Sequence, residues 1–126
     1  MSFFNKIFGD KETEDSSGDN SFWKPLHSEE QLNEAVSRSH QNRVVIFKHS
    51  TRCFISKTVL RNFEKEVRNS DRKADFYFLD LLAHRGLSNR IAEQFDIEHQ
   101  SPQLIVLENG KAIKDASHQS ISVDLV

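Results

Sequence analysis

Residues 44–56 read VVIFKHSTRCFIS. The first four, Val44 to Phe47, are β-branched or aromatic with no polar break. A continuous apolar run suits a strand covered on both faces, whereas strict alternation would mark a half-exposed one. Downstream, Ile55, Val59, Phe63 and Val67 recur every fourth residue, with Leu60 beside them. That spacing predicts one buried face of a helix from about Cys53 to Arg68. The quoted stretch is therefore a junction. A buried strand ends, and a helix begins at Cys53, the single cysteine of the chain.

The same alternation continues outward. FYFLDL, residues 76–81, predicts a second buried strand, and Leu87, Ile91 and Phe95 mark another helix. Upstream, Ser28 and Gln31 have the spacing of a capping box, and Leu32, Ala35 and Val36 continue a helix to about Arg38. A further strand is expected around Phe22 to Leu26. QLIVLENGKAIK, residues 103–114, predicts a hairpin in which Leu104 to Leu107 pair with Ala112 and Ile113. Asn109-Gly110 supplies its turn, since both central positions need positive φ. A short helix is expected after Ser120. Strands alternating with helices imply parallel strands joined by right-handed crossovers. The predicted class is α/β, a thioredoxin-like three-layer sandwich. Its mixed central sheet has parallel strands plus a C-terminal antiparallel hairpin, with helices on both faces.

Composition bounds the function. The chain has 126 residues, enough for one compact domain. A net charge of -2 gives no reason to expect a nucleic-acid partner. No apolar stretch has the length of a membrane span, and the N-terminus lacks the apolar core of a secretory signal, so the cytoplasm is expected. One cysteine forms no internal disulfide and excludes a cysteine-rich zinc site. No metal site is expected. Residues 1–21 read as a tail and residues 22–126 as the folded domain. DKETEDSSGDN, residues 10–20, is acidic, polar and nearly free of apolar side chains. Before it, Phe3, Phe4, Ile7 and Phe8 fall at helical spacing. That stripe suits a docking peptide, a membrane-surface anchor, or a terminus resting on its own domain.

The junction also carries the candidate chemistry. At a helix start the first backbone N–H groups have no internal partner, and the macrodipole presents partial positive charge. A thiolate placed there is stabilised, which makes Cys53 the candidate nucleophile. Arg52 adds positive charge if its side chain turns inward. Against this, a lone cysteine is most often a small buried hydrophobe. His49, four residues before Cys53, could act as a base but is equally an ordinary strand-end residue. Ser56 stands where C-x-x-C proteins carry their second thiol. A hydroxyl cannot attack a mixed disulfide, so release needs an external thiol. Ser56 could still donate a hydrogen bond to the thiolate. Ser101-Pro102 stands at the entry of a predicted strand, where a proline need not donate to the ladder.

FKHSTRCFIS, SPQLIVLENGK and ASHQSIS together resemble the bacillithiol-system YtxJ family, the monothiol bacilliredoxins. The resemblance runs from about Trp23 to the C-terminus. Thr51, Cys53, Ile55 and Ser56 match the family pattern Thr-x-Cys-Pro-Ile-Ser, and Phe54 departs from it by replacing the proline. The resemblance implies thiol exchange. Cys53 takes bacillithiol, or a similar low-molecular-weight thiol, from S-thiolated client proteins, and that thiol is a co-substrate rather than a bound cofactor. It also implies supporting roles for Thr51, Arg52 and Ser56 at the thiolate. Phe54, Ser101, Pro102, Ser117 and His118 would contact substrate, with Pro102 cis beside the cysteine. A monomer is expected. Two other classes stay open: an iron–sulfur cluster carrier of the monothiol-glutaredoxin type, and a non-enzymatic thioredoxin-like interaction module.

Overall fold

A computed structural model describes residues 22–126. The element order is β1 (Trp23–Pro25), α1 (Glu29–Arg38), β2 (Val44–His49), α2 (Phe54–Arg68), β3 (Asp75–Asp80), α3 (Arg85–Phe95), β4 (Gln103–Glu108) and β5 (Lys111–Ser117). One sheet has the order β1-β3-β2-β4-β5. β3 pairs in parallel with β1 and β2, while β4 runs antiparallel to both β2 and β5. The apolar run of β2 thus lies at the centre of the sheet, and all six of its residues are buried.

Alternation along β2 assigns its side chains to two cores. Val44 and Ile46 join Leu32 and Ala35 of α1 and Leu87 and Ile91 of α3. Val45 and Phe47 join Val59 and Phe63 of α2, together with Ile121 and Val126. Helices α1 and α3 therefore cover one face, and α2 with the C-terminal segment covers the other. Trp23 stands at the edge of the second core, in ring contact with Phe22, Phe47, Phe63, Phe76 and Phe78. Its indole N–H donates to Glu64 Oε2 at 2.7 Å, which ties β1 to α2.

Local signals decide the boundaries. The Ser28 hydroxyl accepts the Gln31 N–H at 3.2 Å and caps α1. The Gln31 side chain accepts from His27 N–H instead of Ser28 N–H, so the expected reciprocal box is shifted by one residue. Three expectations need correction. Ile113 does not pair with β4: Leu107 faces Ala112 and Val106 faces Lys114, which leaves Ile113 at a bulge. No α-helix follows Ser120. The end is two 3-10 turns, His118–Ser120 and Val123–Leu125, pinned by burial of Ile121 and Val126. The second buried strand starts at Asp75 and ends at Asp80, one residue earlier at each end. The stripe Phe3, Phe4, Ile7 and Phe8 lies outside the described residues.

Candidate active site at the start of α2

Cys53 is the N-cap of α2, with extended backbone. Its N–H donates to Ser50 carbonyl at 3.1 Å, and its own carbonyl accepts from Lys57 N–H at 3.1 Å. Cys53 is half-buried, and its side chain makes no capping hydrogen bond. The first turn of α2 holds no acidic residue, so no carboxylate competes with a thiolate for the helix terminus. Thr51 and Arg52 are exposed in the turn before it. Phe54 is the first helical residue and is 80% exposed, and Ile55 is 45% exposed. Two large apolar side chains thus stand open to solvent beside the only thiol.

Ser56 is fully buried. Its hydroxyl accepts Ser50 N–H at 3.1 Å and lies 2.8 Å from His49 Nδ1. Those two contacts use two of the three hydrogen-bonding positions of its hydroxyl. Burial pushes the His49 ring below its ordinary pKa; the Asp80 charge opposes this and the Lys57 charge reinforces it. Ser50 N–H donates to Ser56, and the direction of the Ser56–His49 bond follows the tautomer of the ring: with Nδ1 unprotonated, the Ser56 O–H donates to it. Sequence spacing gave no direct sign of this pair. The signal was available indirectly: strand alternation puts His49 on the same face as Val45 and Phe47, and Ser56 shares a helix face with Val59 and Phe63.

The sheet register carries Pro102 to the same end of the fold. Lys48 pairs with Gln103 across β2 and β4, so Ser101 and Pro102 lie beside His49 and Ser50, where the chain leaves for Cys53. The Ser101-Pro102 peptide bond is cis. The Pro102 carbonyl accepts His118 N–H at 3.2 Å. The Ser101 hydroxyl is buried without a protein partner. His118 joins Phe54, Ile55, Thr58 and Ile121 around a groove of about 300 Å³ along α2. Ser117 does not line it; Ser117 pairs with Gln103 in the sheet. No group of residues able to hold a metal ion occurs among the described residues.

The family described as monothiol bacilliredoxin BrxC matches residues 24–126. The chain belongs to that family. Among solved structures, a chain described as a candidate oxidoreductase with a thioredoxin fold is 28% identical at a TM-score of 0.74, covering 85% of this chain and 92% of that one. Malassezia sympodialis thioredoxin is 20% identical at a TM-score of 0.61, covering 75% of this chain and 76% of that one. Reduced Schistosoma mansoni thioredoxin is 20% identical at 0.60, covering 76% and 85%. The two thioredoxins support the fold alone. Membership in the bacilliredoxin family gives the chain a monothiol redox function. Among its described residues, no helix is long and apolar enough to cross a membrane.

Proposed function

We propose that this bacilliredoxin-family chain removes bacillithiol, or a closely similar low-molecular-weight thiol, from mixed disulfides on client proteins. One observation carries the reading: the sole cysteine is partly exposed at a helix terminus, while the residue three positions on is a buried serine held by His49 and Ser50. The Cys53 thiolate attacks the capping sulfur. The client sulfur leaves as a thiolate and takes a proton from solvent, and a Cys53–cap disulfide forms. A second low-molecular-weight thiolate then attacks the cap sulfur and releases Cys53. The client cysteine is reduced, and one free small thiol is oxidised, leaving with the cap as their symmetrical disulfide. The helix terminus stabilises Cys53 as both attacking and leaving thiolate. The exposed Phe54 and Ile55 provide apolar contact for the client, and the segment at Pro102 offers backbone for an added strand.

The test mixes reduced protein with a bacillithiolated client and weighs both by mass spectrometry. The expected result is transfer of the cap to Cys53 and none to a Cys53→Ser variant of unchanged thermal stability. No transfer to wild type, with transfer by a dithiol control, overturns the reading.

A further inference from the structure

Alternation along β2 puts Lys48 on the face of Val44 and Ile46, the face that α1 and α3 cover. The side chain is fully buried. Its ammonium donates to the Ser88 carbonyl in α3 at 3.0 Å and lies 3.4 Å from His99 Nδ1. The Ser88 hydroxyl is 3.3 Å from the same ring nitrogen. Gln103 stands opposite Lys48 in the register of β2 and β4, so the two side chains share a face. Gln103 is buried too, and its Nε2 donates to the Glu98 carbonyl at 2.9 Å. Glu98 and His99 belong to residues 96–102, the loop between α3 and β4 that carries Ser101 and Pro102. Two buried side chains of the sheet therefore reach one loop, Lys48 through a ring and Gln103 through the backbone. Among the described residues, His99, Gln100 and Ser101 make no backbone–backbone hydrogen bond. Side chains hold the loop where a ladder or a helix does not.

Stability does not account for a lysine at this position. An ammonium taken out of water with no carboxylate among its partners destabilises a fold. The polar cluster is also incomplete, since the buried Gln103 Oε1 has no partner among the described residues. A methionine fills the same space without the charge, but it has no donor with which to join Ser88 to His99. We infer that Lys48 is a positioning residue for client binding, holding residues 96–102 against α3 so that the unpaired backbone at Ser101 stays in place for an incoming chain. The inference rests on the reading above, in which the segment at Pro102 offers backbone to the client. Lys48 touches no reacting atom; it lies on the opposite face of the sheet from Ser56 and acts through the loop. The client that such a loop favours has extended, unpaired backbone around its capped cysteine, as in a loop or a terminus. A cysteine within a helix has no free main-chain groups to offer.

The test uses the full chain and no bacillithiol, so it is read apart from cap transfer. A short peptide, its cysteine activated as the thionitrobenzoate disulfide, is mixed with the reduced protein. The Cys53 thiolate attacks the peptide sulfur, a disulfide joins the two, and coloured thionitrobenzoate leaves with the electron pair. A twin peptide methylated on its backbone nitrogens keeps the disulfide and side chains but donates no main-chain hydrogen bond. Wild type is expected to react with the first peptide at least about fivefold faster than with the twin. In Lys48→Met that ratio is expected to fall to about one, with thermal stability not lowered. Backbone order parameters of residues 98–101, from NMR relaxation, are expected near about 0.85 in wild type and below about 0.6 in the variant, with β2 rigid in both. An effect on the thiolate alone would change both peptide rates alike and leave their ratio. His99→Leu removes the loop's half of the contact; it is expected to behave the same way, and it carries the test if Lys48→Met does not fold. A wild-type ratio kept by a folded variant, or a loop as ordered as in wild type, overturns the inference and leaves client pairing at Pro102 standing. A ratio near one in wild type overturns the inference and that pairing together, while cap transfer is judged by its own assay.

Discussion

A serine hydroxyl without solvent exposure must find its partners inside the protein, and Ser56 finds two. The position that carries a second thiol in C-x-x-C proteins is here a fixed polar post under the strand end. Ser56→Ala strands the Ser50 N–H and the His49 Nδ1 together. Leaving a buried donor or acceptor unmade costs about 1–3 kcal/mol. The expected loss of stability is of that size, measured by urea denaturation, with the Cys53 thiol still open to alkylation. His49 adds a pH dependence. Burial holds its ring below the ordinary value, so on acidification the unfolded chain takes up this proton first. Stability from this site is present above about pH 6.5 and is lost as pH falls toward the folded-state value. His99, lowered mainly by burial and then by the Lys48 charge, contributes with the same sign. His49→Gln is therefore expected to lessen the acid-side fall in melting temperature between pH 7.5 and 5 without abolishing it. An unchanged profile would contradict this account of His49.

At the level of elements, the β4–β5 hairpin shows which signals are local. Asn109 and Gly110 have φ of 54° and 76°, as the Asn-Gly pair requires. Their N–H groups donate to the Ser39 carbonyl at 2.7 Å and the Ser39 hydroxyl at 2.8 Å, which fastens the hairpin tip to the end of α1. A Cβ at Gly110 would lie 3.2 Å from His40 Cε1. Gly110→Ala is expected to cost about 1–2 kcal/mol, from the left-handed backbone alone, read as a lower denaturation midpoint. The turn was legible because two adjacent residues determine it. The bulge at Ile113 was not, because it depends on which residue of β4 each residue of β5 meets. The start of α2 was legible from the periodicity of Ile55, Val59 and Phe63. The role of Ser56 was not, since its partners His49 and Ser50 approach it only when β2 and α2 pack. Residues 121–126 form a 3-10 turn rather than an α-helix, following the burial of Ile121 and Val126.

Across the whole molecule, the central strand β2 sends chemistry to both faces of the sheet. His49 faces α2, where it meets Ser56, and Lys48 faces the opposite layer. Lys48 is fully buried; its ammonium donates to the Ser88 carbonyl at 3.0 Å and lies 3.4 Å from His99 Nδ1. None of those partners is a carboxylate, and burial pushes the Lys48 pKa down to about 8. The unfolded chain holds this proton up to an ordinary value of about 10.4, and the folded chain releases it near 8. Between those values the unfolded state binds more protons, so the stability contributed by this site rises with pH. Below about pH 8 the folded protein carries a constant penalty for the buried charge. Lys48→Met keeps the length of the side chain and removes the charge, at the loss of one hydrogen bond to Ser88. The variant is expected to be more stable than wild type at pH 7 by on the order of 1–2 kcal/mol, allowing for that bond and for residual screening. The advantage should shrink toward zero at pH 10, where the wild-type amine is neutral in the folded state. Denaturation curves at pH 7, 8.5 and 10 measure the trend. A difference that stays constant across them would mean that Lys48 titrates as an ordinary surface amine, and that the layer opposite the cysteine tolerates its charge without cost.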